Sequence, residues 1–223
     1  MSLNRKLSAN NRLFGKILTT QLDGTQKLLA DNNLGPTEGN FAESEPEEKL
    51  SAAELSEKLQ NSLTKEQLNA YLAGLIDGDG SIYCLLANRI KDGYTFGYEI
   101  RPCASITQRP EKQHVLVHAN TLSGGIGTLR RRSDNIASLD FHGRDKVSRL
   151  VPRVKPYLYL KRKQARLVLH VIEQMPYVRD DAQKFLNLCR IVDRISQEND
   201  GNNLQNTSET VRLYLLTKGY KVV

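Results

Sequence analysis

The sequence predicts an α+β fold, with one four-stranded antiparallel sheet backed by helices and further helices after it. Three observations carry that expectation. A capping-box pattern at Thr64–Gln67 opens a helix-spaced run. Four runs of period-two alternation follow, in two pairs. Beyond about residue 143 the chain returns to helical spacing. Strands grouped as hairpins, rather than alternating singly with helices, point to an antiparallel sheet.

Residues 1–63 read as an N-terminal extension and residues 64–223 as the folded domain. The first 30 or so residues are basic and polar with scattered leucines. The span Asp31 to Glu57 carries Gly, Pro, Asn and the acidic run Glu43, Glu45, Glu47 and Glu48, a composition suited to a flexible segment. Leu50, Leu55 and Leu59 could still support a short helix. The basic stretch could be a targeting peptide, a partner-binding arm or a translated flanking remnant; a poorly ordered extension is the plainer reading.

The helix opened by Thr64 carries Leu68, Tyr71, Leu72 and Leu75 and ends in Asp77-Gly78-Asp79-Gly80. Strands are expected over about 81–90 and 95–108, with the turn signal Asp92-Gly93 between them. Ile82, Cys84 and Leu86 fall on one face of the first strand, and Ile100, Ala104 and Ile106 on one face of the second. A helix over about 110–122 stops at Gly124-Gly125. The second hairpin takes 126–132 and 136–142, with Leu139 and Phe141 inward and Ser138 and Asp140 outward. Helices over about 144–155, 161–175, 180–198 and 207–218 complete the chain, broken at Pro156, Pro176 and Gly201. One sheet face then carries helices. The other, left uncovered, would display Arg89, Lys91, Arg101, Arg130 and Arg132.

Composition narrows the class. At 39% hydrophobic and 26% charged residues the chain reads as an ordinary soluble globular protein, with no transmembrane-length apolar stretch and no signal peptide. Cys84, Cys103 and Cys189 are far apart and form no CxxC pair, so a reducing intracellular compartment is expected. The net charge of +7 is uneven. Residues 1–63 hold seven basic against nine acidic residues; residues 64–223 hold 25 against 16. Positive charge concentrated in one domain favours a polyanionic partner, because each phosphate contact releases counterions.

The strongest local signal is Leu72-Ala73-Gly74-Leu75-Ile76-Asp77-Gly78-Asp79-Gly80. Small residues at Ala70, Ala73 and Gly74 let a second helix backbone come close, and the helix delivers the Asp79 carboxylate to the start of a strand. A single carboxylate makes a poor Mg²⁺ site, because that ion wants several oxygen ligands. Two copies about a two-fold axis, with phosphate oxygens added, make a good one. The chemistry therefore asks for a homodimer, with Ala70, Ala73, Gly74 and Asp77 at the seam. On its own, Asp-Gly-Asp-Gly also reads as a plain turn between helix and strand. An EF-hand is excluded, since its sixth and twelfth positions would be Ile82 and Asn88 rather than Gly and Glu.

These nine residues resemble the eponymous motif of the LAGLIDADG homing endonucleases, differing only by Gly78 for alanine. A single copy resembles the homodimeric branch typified by enzymes of algal chloroplast introns. Asp77–Ile82, Lys161–Ala165 with Leu167-Val168-Leu169, Lys184-Phe185-Leu186, Val192-Asp193 and Ser208–Arg212 extend the similarity in order and at similar spacing. It covers about residues 64–218. The resemblance implies an αββαββα core whose four-stranded sheet binds DNA. It also implies metal-dependent cleavage of both strands of a long pseudo-palindromic site, across the minor groove, leaving short 3′ overhangs. Mg²⁺ would be the cofactor, with Mn²⁺ able to substitute.

Residue by residue, the resemblance makes Asp79 the essential metal ligand, with the Gly78 carbonyl as an auxiliary one. Asp77 would be structural, closing the helix end. Gln108 would position a metal-bound or nucleophilic water, and Lys161 would stabilise charge near the scissile phosphate. Lys112 stands where close relatives carry arginine, and lysine cannot make the bidentate fork.

A twisted antiparallel sheet can enter the major groove, where base edges are distinguishable. The expected DNA-contacting residues are Arg89, Lys91, Glu99, Arg101, Ser105, Arg130, Arg132, Ser138 and Asp140, and Ser81, Tyr83, Leu85, Ala87 and Cys103 share the same face. The loop Gly201–Asn206 is neutral where relatives place basic residues, so its phosphate contacts should be weak. His114 and His118 stand four apart without a third ligand and read as a surface pair. An organelle (chloroplast or mitochondrion) or a bacterial cytoplasm is the expected location. The rival reading is a non-cleaving member of the fold, either a DNA-binding regulator or a maturase that binds intron RNA; retained Asp79, Gln108 and Lys161 argue against it.

Overall fold

The computed structural model describes residues 51–132, 135–199 and 205–223; expectations placed on residues 1–50 and 201–204 lie outside them. The described residues form one compact unit. Its helices are α1 (Ala52–Ser62), α2 (Lys65–Asp79), α3 (Gln113–Leu122), α4 (Arg144–Val154), α5 (Arg162–Gln174), α6 (Ala182–Gln197) and α7 (Ser208–Thr217). Its strands are β1 (Gly80–Asn88), β2 (Tyr98–Gln108), β3 (Thr128–Arg131) and β4 (Ala137–His142). The sheet is antiparallel throughout, in the order β1-β2-β4-β3. The fold is therefore α+β with one four-stranded antiparallel sheet, as the sequence predicts.

Helix starts follow their caps. The Thr64 hydroxyl accepts from the Gln67 backbone N–H at 3.3 Å while Thr64 N–H donates to Gln67 Oε1 at 2.8 Å. Each bond satisfies a donor that the first turn would leave orphaned. The Asp181 carboxylate caps α6 through Lys184 N–H, and Thr207 caps α7 through Thr210 N–H.

Three local departures have physical causes. The first hairpin connection is longer than a turn at Asp92-Gly93. Asn88 Oδ1 accepts from Ile90 N–H at 3.1 Å, and a 3-10 turn over Ile90–Asp92 leads into left-handed Gly93. The helix expected from 110 starts as a 3-10 turn at Pro110–Lys112 and becomes α-helical only at Gln113. The helices expected over 144–155 and 161–175 each end a residue early, where 3-10 turns at Lys155–Tyr157 and Met175–Val178 form around Pro156 and Pro176.

The core lies between the sheet and the helices. Ile82, Ile106, Leu139 and Phe141 from the sheet meet Leu72, Ile76, Leu116 and Leu150 from the helices, all without solvent exposure. Burying each such side chain stabilises the fold by roughly 2 kcal/mol. Arg153 of α4 ties two other helices together. Its guanidinium donates twice to Asn69 Oδ1 of α2, at 3.2 and 3.0 Å, and to the carbonyls of Leu122 and Ser123 at the end of α3. Those carbonyls have no helical partner of their own.

Candidate active site

The site begins where α2 runs into β1. A Cβ on Gly80 would stand 2.7 Å from the Ser105 carbonyl oxygen and 2.8 Å from Ile76 Cα. Only glycine lets the helix end and β2 come this close. That approach places Asp79, which is exposed, at one end of the open sheet face. Gln108 Nε2 donates to Asp79 Oδ2 at 2.6 Å, and Thr107 Oγ1 donates to the Asp79 carbonyl at 3.1 Å. The last two residues of β2 thus hold both ends of Asp79. The carboxylate keeps its other oxygen for a further partner. Gly78 is exposed beside it, with open space where a Cβ would stand.

Asp77 does more than close its own helix. Its carboxylate accepts from the backbone N–H groups of Tyr159 (2.6 Å), Leu160 (3.3 Å) and Lys161 (2.9 Å). In return Lys161 Nζ donates to the Asp77 carbonyl at 2.8 Å. A carboxylate at the C-terminal end of its own helix is disfavoured by the helix dipole, whereas the N–H groups leading into α5 receive it well. The bond pair carries the Lys161 ammonium to the motif, where it lines a groove with Gly78, Ser81, Ser105 and Arg132. Lys112 lies on the exposed 3-10 turn beyond Gln108, and among the described residues no contact ties it to Asp79.

The uncovered face of the sheet is a set of ion pairs. Glu99 accepts from Arg89 Nε at 3.1 Å and from Arg101 Nη2 at 2.6 Å, and Arg89 also reaches Asp92 at 3.0 Å. Burial pushes the Glu99 carboxyl up, but the hydrogen bonds from Arg101 and Arg89 outweigh it and hold the group below its ordinary value of 4.5. Arg130 stands 3.6 Å from Asp140. Lys91 is exposed on the 3-10 turn, and Ser105 is half-buried, facing Ser81 and Asp140 in register.

Two residues assigned to this face do not reach solvent. Ser138 is 2% exposed, set between Thr107 and Arg130 in the register, with its hydroxyl on Asp140 at 3.1 Å. Cys103 has no exposure between Tyr83 and His142, and burial pushes its thiol up to about 12. Of the seam residues, Ala70, Gly74 and Asp77 are partly exposed, but Ala73 is fully buried in the core of its own chain. Helical phase explains the correction: Ala73 follows Leu72 and precedes Ile76 by one turn, on the apolar stripe. His118 packs edge-on against Tyr71 at 5.5 Å, so it does not form a surface pair with exposed His114.

Sequence reasoning passed over Thr107 as a site residue, and over Tyr159 (88% exposed) and Leu160 (65% exposed) beside Asp77. Thr107 was visible as the neighbour of Gln108. Nothing local marks Tyr159 and Leu160, because the carboxylate that receives their backbone N–H groups lies 82 and 83 positions earlier.

A helix that hands a carboxylate to one end of an open four-stranded sheet, with basic side chains along that face, defines a class of one-motif αββαββ domains. No family model matches the sequence. The chain is 32% identical over 155 residues to the DNA endonuclease I-CreI of Chlamydomonas reinhardtii, covering 70% of this chain and 93% of the relative. It is 29% identical over 153 residues to the DNA endonuclease I-CvuI of Chlorella vulgaris, covering 69% and 92%. The crystal structure of I-CvuI with its own target and Ca superposes with a TM-score of 0.66 at 28% identity, over 71% of this chain and 98% of that one. A second I-CvuI complex, with the I-CreI target and Mg, gives 0.65 at 29% identity, over 70% and 98%. The chain belongs to the LAGLIDADG homing endonuclease family, and its similarity is to the single-motif algal branch.

Proposed function

We propose that the protein is a site-specific double-strand DNA endonuclease, acting as a homodimer on a long pseudo-palindromic site. The observation that carries this reading is the Asp79–Gln108 pair at the end of an open, arginine-bearing sheet face. The curated relatives are DNA endonucleases, and the I-CvuI structures hold DNA with Mg or Ca. Residues 64–223 would carry the activity, with 1–63 as an extension whose helix α1 belongs to the same compact unit.

The donor chemistry fits a hard divalent cation. Asp79 offers an exposed carboxylate and Gly78 a backbone carbonyl, both oxygen donors. Among the described residues no three His, Cys, Asp or Glu side chains cluster, so one chain alone does not complete a metal site. A second Asp79 from a partner copy, with phosphate oxygens, would complete it. When bound, Mg²⁺ (with Mn²⁺ as substitute) would lower the pKa of a water ligand and stabilise the leaving 3′ oxygen.

The chain's own residues supply position and charge. Gln108, fixed by its bond to Asp79, would orient the attacking water. Lys161, held at the motif by Asp77, would stabilise charge developing on the phosphoryl oxygens. Arg89, Lys91, Glu99, Arg101, Ser105, Arg130, Arg132 and Asp140 would meet the DNA, with Lys112 nearer the backbone and Ser138 acting only through Asp140. Ala70, Gly74 and Asp77 would line the seam between copies.

Cleavable sites selected from a randomised duplex library provide the substrate for the test. Asp79→Asn should abolish linear product in Mg²⁺, by at least about a thousandfold if charge stabilisation of several kcal/mol is lost, while gel-shift binding persists. Undiminished cutting by that variant would overturn the assignment.

A further inference from the structure

The connection from Arg89 to Gly97 is the end of the open face remote from Asp79. β1 leads away from Asp79 for nine residues, about 30 Å at the usual strand rise. Behind this end, on the helix side, aromatic rings gather. Phe96 lies 5.0 Å from Phe185 of α6 and 5.6 Å from Tyr220, and Tyr98 lies 5.7 Å from Tyr214 of α7 with the rings at 77°.

Gly97 sits between Phe96 and Tyr98 at φ +70°, and a Cβ there would run into Cε1, Cζ and Oη of Tyr214. The tyrosine ring therefore rests directly on the backbone. That backbone unit closes the connection: the Gly97 carbonyl accepts from Arg89 N–H at 2.8 Å, and Gly97 N–H donates to the Tyr94 carbonyl at 2.8 Å. On the opposite face Arg89 enters the Glu99–Arg101 clasp. Just before α7, Asn206 Nδ2 donates to the Leu86 carbonyl at 2.8 Å on the outer edge of β1. The C-terminal helix thus meets this end of the sheet at its edge and from behind.

We propose that Tyr214 is a positioning residue for DNA-base specificity: its ring, seated on Gly97, sets the height at which Arg89 and Lys91 meet the outer base pairs of the site. The inference rests on the DNA-cleaving reading above. It separates two functions along one strand, with chemistry at the Asp79 end and outer-base discrimination at the Tyr214 end. Tyr214 touches no DNA in this arrangement; it acts through the Gly97 carbonyl and the Arg89 backbone.

The test compares the full chain with Tyr214→Ala, Tyr214→Leu and Tyr214→Phe on one randomised duplex library, scoring bound and cleaved fractions base by base. Tyr214→Ala should lose about five- to tenfold discrimination at the outer positions. Its single-turnover rate on the preferred site at saturating enzyme should stay within about twofold, because the reacting groups are untouched. Tyr214→Phe keeps the ring and should restore the profile. If Tyr214→Ala fails to fold by circular dichroism, Tyr214→Leu keeps the apolar volume without the flat ring and should show the same broadening. An unchanged profile, or a loss spread evenly over central and outer positions, overturns the proposal. If the wild type binds the library without cutting it, the endonuclease reading falls and the bound fractions still decide this one; if it neither binds nor cuts, both fall.

Discussion

At the scale of single residues, the motif's two glycines serve different ends. Gly80 admits the close approach of Ile76 and the Ser105 carbonyl, both backbone atoms that cannot give way. Gly78 meets nothing within 4 Å and lies in the last turn of a helix. Gly78→Ala should therefore leave the fold intact and raise stability by up to about 1 kcal/mol. Gly80→Ala should cost about 3 kcal/mol or more through overpacking, and urea midpoints of the two variants should move in opposite directions. Asp77→Ala removes a carboxylate that receives three backbone N–H groups. Hydrogen bonds to a charged group contribute about 1.5–3 kcal/mol before solvent screening, so a net loss of about 2 kcal/mol is expected, with slower cleavage as Lys161 comes loose. A stability change without a rate change would detach Lys161 from the chemistry. Asp79 was legible through the motif and Gln108 only through the wider family resemblance; the partners of Asp77 were not, because periodicity reports neighbours along the chain and says nothing of a bond across 82 residues.

At the scale of the element, alternation placed β1 and β2 within a few residues and assigned their faces, since a half-buried strand must alternate. It could not say how deeply the open face is covered. Cys103 and Ser138 point to that face and are nonetheless closed over by their cross-strand neighbours, a matter of neighbour size and tilt. Nor could it show that the arginines of this face are already paired. Glu99 holds Arg89 and Arg101, which orders both guanidinium groups; in the proposed DNA complex each would be shared with or released to DNA. The folded-state pKa of Glu99 lies below its ordinary value of 4.5, so its stabilising contribution is present above that value and is lost as pH falls through the folded-state pKa. Wild type should therefore exceed Glu99→Gln in stability at neutral pH, and the gap should close under acid. Urea denaturation of both proteins across that range checks it; a gap that persists at the lowest pH would place the contribution elsewhere.

At the scale of the whole molecule, charge and symmetry set how DNA is approached. Residues 64–143, which carry the sheet, hold nine basic and eight acidic residues; residues 144–223, which are helical where described, hold 16 and eight. The segment that carries the sheet is thus almost neutral in total, although its open face is basic, and the larger excess of positive charge lies on the flanking helices. Such a division suits a protein whose sheet discriminates bases while its flanks supply electrostatic steering. The proposed metal site would impose the second requirement, because on that reading a second Asp79 completes it. α2 leaves Gly74 partly exposed and Gly78 exposed, with Ala73 turned into the core, so in the proposed dimer the close approach of two copies would fall on Gly74. Gly74→Leu should keep the fold, since the position is partly exposed, yet hold two helix backbones apart by the bulk of its side chain. Sedimentation should then report wild type at twice the 25.2 kDa of one chain and the variant at that mass alone, with double-strand cleavage lost alongside. A variant that stays dimeric and cuts at the wild-type rate would move the seam off this helix, while a wild type that cuts as a monomer would remove the need for a second Asp79.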